Sequence, residues 1–133
     1  MDYKVTIEKA KEASKNAYVP YSDCHVGCAI AMKNEDYVLG CNVENASYGL
    51  SNCAERTAIF SMVAKGYHKE DIDHIALVSD FKGDTRPCGA CRQVFAELVP
   101  VDAPIYMLNK DGSICKMTIR ELLPESFSKE DLK

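Results

Sequence analysis

The side chains best suited to chemistry in this chain are thiols. Seven cysteines stand among 133 residues, and their spacing divides them. Cys88-Gly89-Ala90-Cys91 follows Pro87 as a C-x-x-C pair, which serves either as a redox dithiol or as half of a metal site. Cys53-Ala54-Glu55 places a third thiol two residues before a carboxylate. A metal on Cys53, Cys88 and Cys91 would keep one position open for water, with the Glu55 carboxylate close in sequence. Two other readings use the same residues. A closed structural site would draw a fourth ligand from Cys24, Cys28, Cys41, Cys115 or a histidine. A redox dithiol at Cys88 and Cys91 would leave Cys53-Ala54-Glu55 without a role.

The elements around these residues follow from periodicity. Apolar positions predict a helix from about Cys53 to Ala64, closed by Gly66, and a second from Cys88 to Leu98 behind Pro87. Both helices would begin at their cysteines, so unpaired N–H groups and positive dipole ends meet at the thiolates. Three thiolates outweigh a divalent cation by one charge, which the helix ends partly offset. Arg56, directly after Glu55, is expected to donate hydrogen bonds to the sulfurs from behind.

Val26–Met32 and Tyr37–Val43 read as an antiparallel hairpin around Lys33–Asp36. Further strands are expected at Ile72–Val78, Ile105–Leu108 and Ile114–Met117. Helices are expected over Val5–Ala17, Ile119–Leu123 and from Ser128 onward, with a polar loop over Ser79–Arg86. This order implies one α/β domain, residues 1–133, with helices covering a mixed sheet.

Composition narrows the function classes. Sixteen Lys and Arg against twenty Asp and Glu give a net charge of −4. That balance disfavours a surface for polynucleotides or anionic membranes. No apolar run reaches membrane-spanning length, and the first residues lack a signal-peptide pattern. A cytoplasmic, reducing setting is therefore expected, with unpaired thiols. Cys28, Cys41 and Cys115 fall in apolar strands and read as small core hydrophobes.

A Cys or His, then x-Glu, then Pro-Cys-x-x-Cys is the known signature of zinc deaminases. The match runs over five blocks: Ala17-Tyr18-Val19-Pro20-Tyr21-Ser22, Gly40-Cys41-Asn42-Val43-Glu44-Asn45-Ala46, Asn52-Cys53-Ala54-Glu55-Arg56-Thr57-Ala58, Pro87-Cys88-Gly89-Ala90-Cys91-Arg92-Gln93 and Glu121-Leu122-Leu123-Pro124. On these the chain resembles the small, homotetrameric, zinc-dependent cytidine deaminases over almost its whole length.

The resemblance implies a three-layer α/β/α fold around a mixed five-stranded sheet. It implies one Zn2+ per chain on Cys53, Cys88 and Cys91, with Glu55 moving protons between water, N3 of the base and the leaving amino group. It carries substrate contacts to Asn42, Glu44, Ala46, Tyr48, Ala54 and Phe127, the last reaching a neighbouring subunit's pocket. The implied activity is hydrolytic deamination of cytidine and 2'-deoxycytidine to the uridines, with release of ammonia, in pyrimidine salvage. The implied partners are a small nucleoside and three further copies of the chain, with neither a nucleic-acid polymer nor a membrane. On a strand, Asn42 and Glu44 would point to one face and hold ribose hydroxyls. The related blasticidin S deaminases share the zinc motif and lack this Asn-x-Glu pair. One departure stands out: Cys24 and Cys28 occupy positions where the family's pattern has Phe and Ala. The missing aromatic belongs to the base-contacting wall in that family, so Cys24 is either a softer wall or a space-filler.

Overall fold

The computed structural model describes residues 2–132. Its centre is a five-stranded sheet built from β1 (Val26–Met32), β2 (Tyr37–Cys41), β3 (Ile72–Ser79), β4 (Ile105–Leu108) and β5 (Ile114–Met117), in the order β2-β1-β3-β4-β5. β3 and β4 run parallel, and every other neighbouring pair is antiparallel. All seven residues of β1 are buried, because this inner strand is covered on both faces. β2, at the edge, alternates between buried and more exposed positions.

α1 (Tyr3–Ser14) covers one face, packing Ile7 and Ala10 against Ala29, Ala76 and Val78. α2 (Ala54–Ala64), α3 (Gly89–Leu98) and α4 (Ile119–Leu122) cover the other, over a core that includes Ile30, Ile59, Leu77, Phe95 and Met107. The result is three layers, α/β/α. Two glycines set the spacing between layers. A Cβ on Gly27 would stand 1.9 Å from the Ala10 carbonyl oxygen of α1. A Cβ on Gly40 would stand 2.4 Å from the Ala54 carbonyl oxygen and from the Ala58 nitrogen of α2. Only a residue without a side chain lets α2 press onto β2 this closely. A buried chain of hydrogen bonds, Thr6 Oγ1 to His74 Nε2 and His74 Nδ1 to Asp73 Oδ2, each 2.6 Å, ties α1 to β3.

Three expectations shift at their ends. α1 starts at Tyr3, because the Asp2 carboxylate accepts from the Lys4 N–H, and it stops at Ser14. Beyond it, Tyr18 leaves the helical path to donate to the Asn42 carbonyl at 3.0 Å. β2 ends at Cys41, since its partner strand begins at Val26. Val43 instead pairs singly with Tyr18 and Asn52, so Asn42 and Glu44 lie on an extended segment outside the sheet. The expected final helix is one 3-10 turn, Lys129–Asp131, capped by Ser128.

Candidate active site

α2 and α3 both start on cysteines. Cys53 is the residue before α2 and Cys88 the residue before α3, each in extended backbone, and Cys91 lies in the first turn of α3. The three Sγ atoms lie within 4.8 Å of one another. Cys53 and Cys88 sulfurs are 3.8 Å apart, and those of Cys88 and Cys91 are 3.5 Å apart. Thiolates at about 2.3 Å from a tetrahedral zinc stand about 3.8 Å from each other, so the spacing fits that ion. Among the described residues no fourth Cys, His, Asp or Glu joins this group, which fits an open site rather than a closed one.

Charge at the sulfurs agrees with a waiting cation. Hydrogen bonding from Cys91, then from Arg56, brings the Cys53 thiol down to about 5. The Cys91 thiol is pushed well up by its bond to Cys53, by burial and by the Glu55 charge. Three thiolates this close repel one another, and a divalent ion among them would offset that repulsion. Arg56 Nη2 donates to Cys53 Sγ at 3.3 Å, while its buried Nε has no partner. The guanidinium is thus held behind the sulfurs with donor capacity to spare.

Glu55 sits one helical residue inside α2 and is only 5% exposed. Burial, chiefly, pushes its carboxyl up to about 7, and the Cys53 charge adds to this. A carboxyl poised there can both accept and return a proton near neutral pH. It opens onto a cavity of about 240 Å³ that also touches Cys53, Ala54, Cys88, Asn42 and Glu44. That is below the roughly 300–1,000 Å³ of pockets for drug-sized ligands, a size for one small molecule.

The remaining expected residues divide. Asn42 takes a cavity-lining place, but its amide is also a clamp: Oδ1 accepts from the Val26 N–H at 2.9 Å and Nδ2 donates to the Cys24 carbonyl at 2.8 Å. Glu44 accepts from the N–H groups of Tyr21 and Ser22, both at 3.1 Å, and from the Ser22 hydroxyl. The Ser22 hydroxyl above all holds this carboxyl below its usual range, so it stays charged. Ala46 and Tyr48 do not line the cavity. Ala46 is exposed, and Tyr48 borders a neighbouring surface depression with Tyr21 and Ser22 that shares Glu44 and Ser51 with the cavity. Phe127 is 59% exposed and touches no part of its own chain's cavity. Cys24 is half-buried and outside the lining, as is His25, which is bound to Asp80. Cys28 is fully buried, whereas Cys41 and Cys115 are partly so.

The lining also holds residues that sequence reasoning passed over, notably Phe81, Thr85 and Arg86. All three lie in the loop read simply as polar. A lone aromatic among polar neighbours was the available signal for Phe81.

Comparison with known proteins agrees with this geometry. The family model for the cytidine and deoxycytidylate deaminase zinc-binding region matches residues 2–107. A cytidine deaminase of Halalkalibacterium halodurans is 49% identical over 132 residues, covering 99% of this chain and 98% of its own. One from Sporosarcina psychrophila is 45% identical, covering 99% and 96%. The crystal structure of the cytidine deaminase from Burkholderia pseudomallei superposes with a TM-score of 0.91 at 45% identity, covering 96% of this chain and all of that one. Three sulfurs at zinc spacing, a buried carboxyl beside them and these likenesses lead to one assignment: the chain belongs to the cytidine and deoxycytidylate deaminase family.

Proposed function

We propose that the chain hydrolyses cytidine and 2'-deoxycytidine to the corresponding uridines and ammonia, as one domain and as a step of pyrimidine salvage in the cytoplasm. The observation that carries this is Glu55, buried beside three zinc-spaced thiols at the end of a small cavity. Cys53, Cys88 and Cys91 would hold the metal, which when bound acidifies water and polarises the reacting centre. The chain's own residues do the rest. Glu55 accepts a proton from water and delivers it to N3 of the cytosine, making C4 electrophilic as the water oxygen adds there. Glu55 then passes the second proton to the amino nitrogen, which leaves as ammonia while the C4 carbonyl forms. One carboxyl at this place in the cavity serves each transfer in turn. Arg56 steadies the negative sulfur cluster from behind.

Asn42 and Glu44 hold the ribose hydroxyls at the cavity's mouth, so a free base leaves them unpaired and is rejected. Ala54 contributes to the cavity wall at the start of α2, and Tyr48 borders the adjoining depression that shares Glu44 and Ser51 with it. Four copies assemble, and an exposed Phe127 from one closes the pocket of another. No helix among the described residues is long and apolar enough to cross a membrane. The test is the absorbance loss on mixing protein with cytidine, 2'-deoxycytidine, free cytosine and blasticidin S. Turnover of the first two with little of the others is expected; turnover of the antibiotic alone would overturn the substrate assignment.

A further inference from the structure

We propose that Phe81 supplies the aromatic face against which the pyrimidine ring of the substrate stacks in this chain. The inference rests on the reading of the cavity as a cytidine site and adds to it the residue that reads the base. Among the cavity's lining residues Phe81 is the sole aromatic one. It is 44% exposed, although it shares the cavity with Glu55 and two of the zinc-spaced cysteines. A planar base with two π-faces is the ligand class that such a ring takes up.

The loop around Phe81 is pinned by hydrogen bonds before it, at Asp80, and after it, at Thr85. On one side His25 and Asp80 hold each other three times. The His25 N–H donates to Asp80 Oδ1 at 2.7 Å, His25 Nδ1 meets Asp80 Oδ2 at 2.8 Å, and the Asp80 N–H donates to the His25 carbonyl at 3.1 Å. On the other side the Ser79 and Thr85 hydroxyls share a 2.7 Å hydrogen bond, and the Thr85 N–H donates to the Leu108 carbonyl at 3.0 Å. The same loop runs on into Cys88, so the metal site and the aromatic face are carried by one short stretch of chain.

Other lining groups do not offer the base a face. Arg86 is tied down, donating to the Thr85 carbonyl at 2.7 Å and to Asn109 Oδ1 at 3.0 Å. Cys24 lies outside the lining altogether.

Two measurements test the assignment. Steady-state kinetics of Phe81→Ala should show KM for cytidine raised about 10- to 100-fold, with kcat within a few-fold of the parent, since stacking binds the base without touching the reacting bond. The rise should be equal for cytidine and 2'-deoxycytidine, because the ring meets the base and not the sugar. The second measurement is direct binding. The chain contains no tryptophan, so Phe81→Trp in a Glu55→Gln background reports from this one position. Its fluorescence should be quenched saturably by cytidine and by uridine, and not by ribose.

An unchanged KM in Phe81→Ala, or no saturable quench, would overturn the proposal while leaving wild-type turnover intact. A Phe81→Ala chain that changes mass in solution with KM unmoved would assign the ring to a contact between copies instead. If the wild type fails to deaminate cytidine, the reading of the site's activity falls, and the quench alone decides whether Phe81 stacks on a pyrimidine.

Discussion

At the scale of residues, the site is an arrangement of charge around sulfur. Three thiols crowded within 4.8 Å cannot all ionise without a cation, and Arg56 is the nearest fixed positive group, 3.3 Å from Cys53 Sγ. Its removal leaves the cluster's surplus charge uncompensated. Arg56→Ala should weaken zinc retention by about 10- to 100-fold, read by competition with a chelator, and lower turnover with it. Unchanged retention would show that the guanidinium serves packing alone. The three cysteines and Glu55 were legible because ligand chemistry demands those types at those intervals. Phe81 was not, because a lone aromatic in a polar loop signals a contact without saying that it faces a cavity formed with β1 and α2. Glu44 was legible as a polar group, but its bonds to Tyr21 and Ser22 depend on a pairing some twenty residues distant in sequence.

At the scale of elements, the sheet and the two cysteine-led helices deliver the site. Of the inner strands, β1 and β4 were legible as apolar runs and β3 as one interrupted by Asp73 and His74, and Pro87 and Gly66 bracketed the helices. The ends of α1 and β2 were not, because a tertiary pairing of Tyr18, Val43 and Asn52 overrides local periodicity there. That pairing turns Asn42 and Glu44 out of the sheet and toward the cavity. Gly40 is the position on which the placement of α2 turns, since a Cβ there would lie 2.4 Å from backbone atoms that cannot give way. Gly40→Ala should therefore destabilise the fold by about 1–3 kcal/mol and shift the start of α2. Thermal unfolding would show the first effect and zinc content the second. A variant as stable as the parent would mean that α2 has slack against β2.

At the scale of the whole molecule, the proposed assembly of four copies bears on how the site is closed. The cavity of about 240 Å³ meets a second depression at Glu44 and Ser51, while Phe127 stands exposed with no cavity of its own. In that proposed assembly Phe127 of one copy would close the cavity of another. Light scattering should give about four times the mass of one chain. Phe127→Ala should raise KM for cytidine about tenfold or more, as loss of an aromatic contact to a base does. A monomeric parent, or an unaffected KM, would contradict shared pockets. In the proposed deamination Glu55 moves the protons while the cysteines keep the metal. Its most direct test pairs zinc content with the rate of cytidine absorbance loss in the wild type and in Glu55→Gln. The zinc should be equal, near one per chain, and the Glu55→Gln rate lower by several orders of magnitude, on the scale of a lost proton-transfer group at about 10²–10⁴-fold or more. Zinc-loaded Glu55→Gln with near wild-type turnover would contradict that role of Glu55.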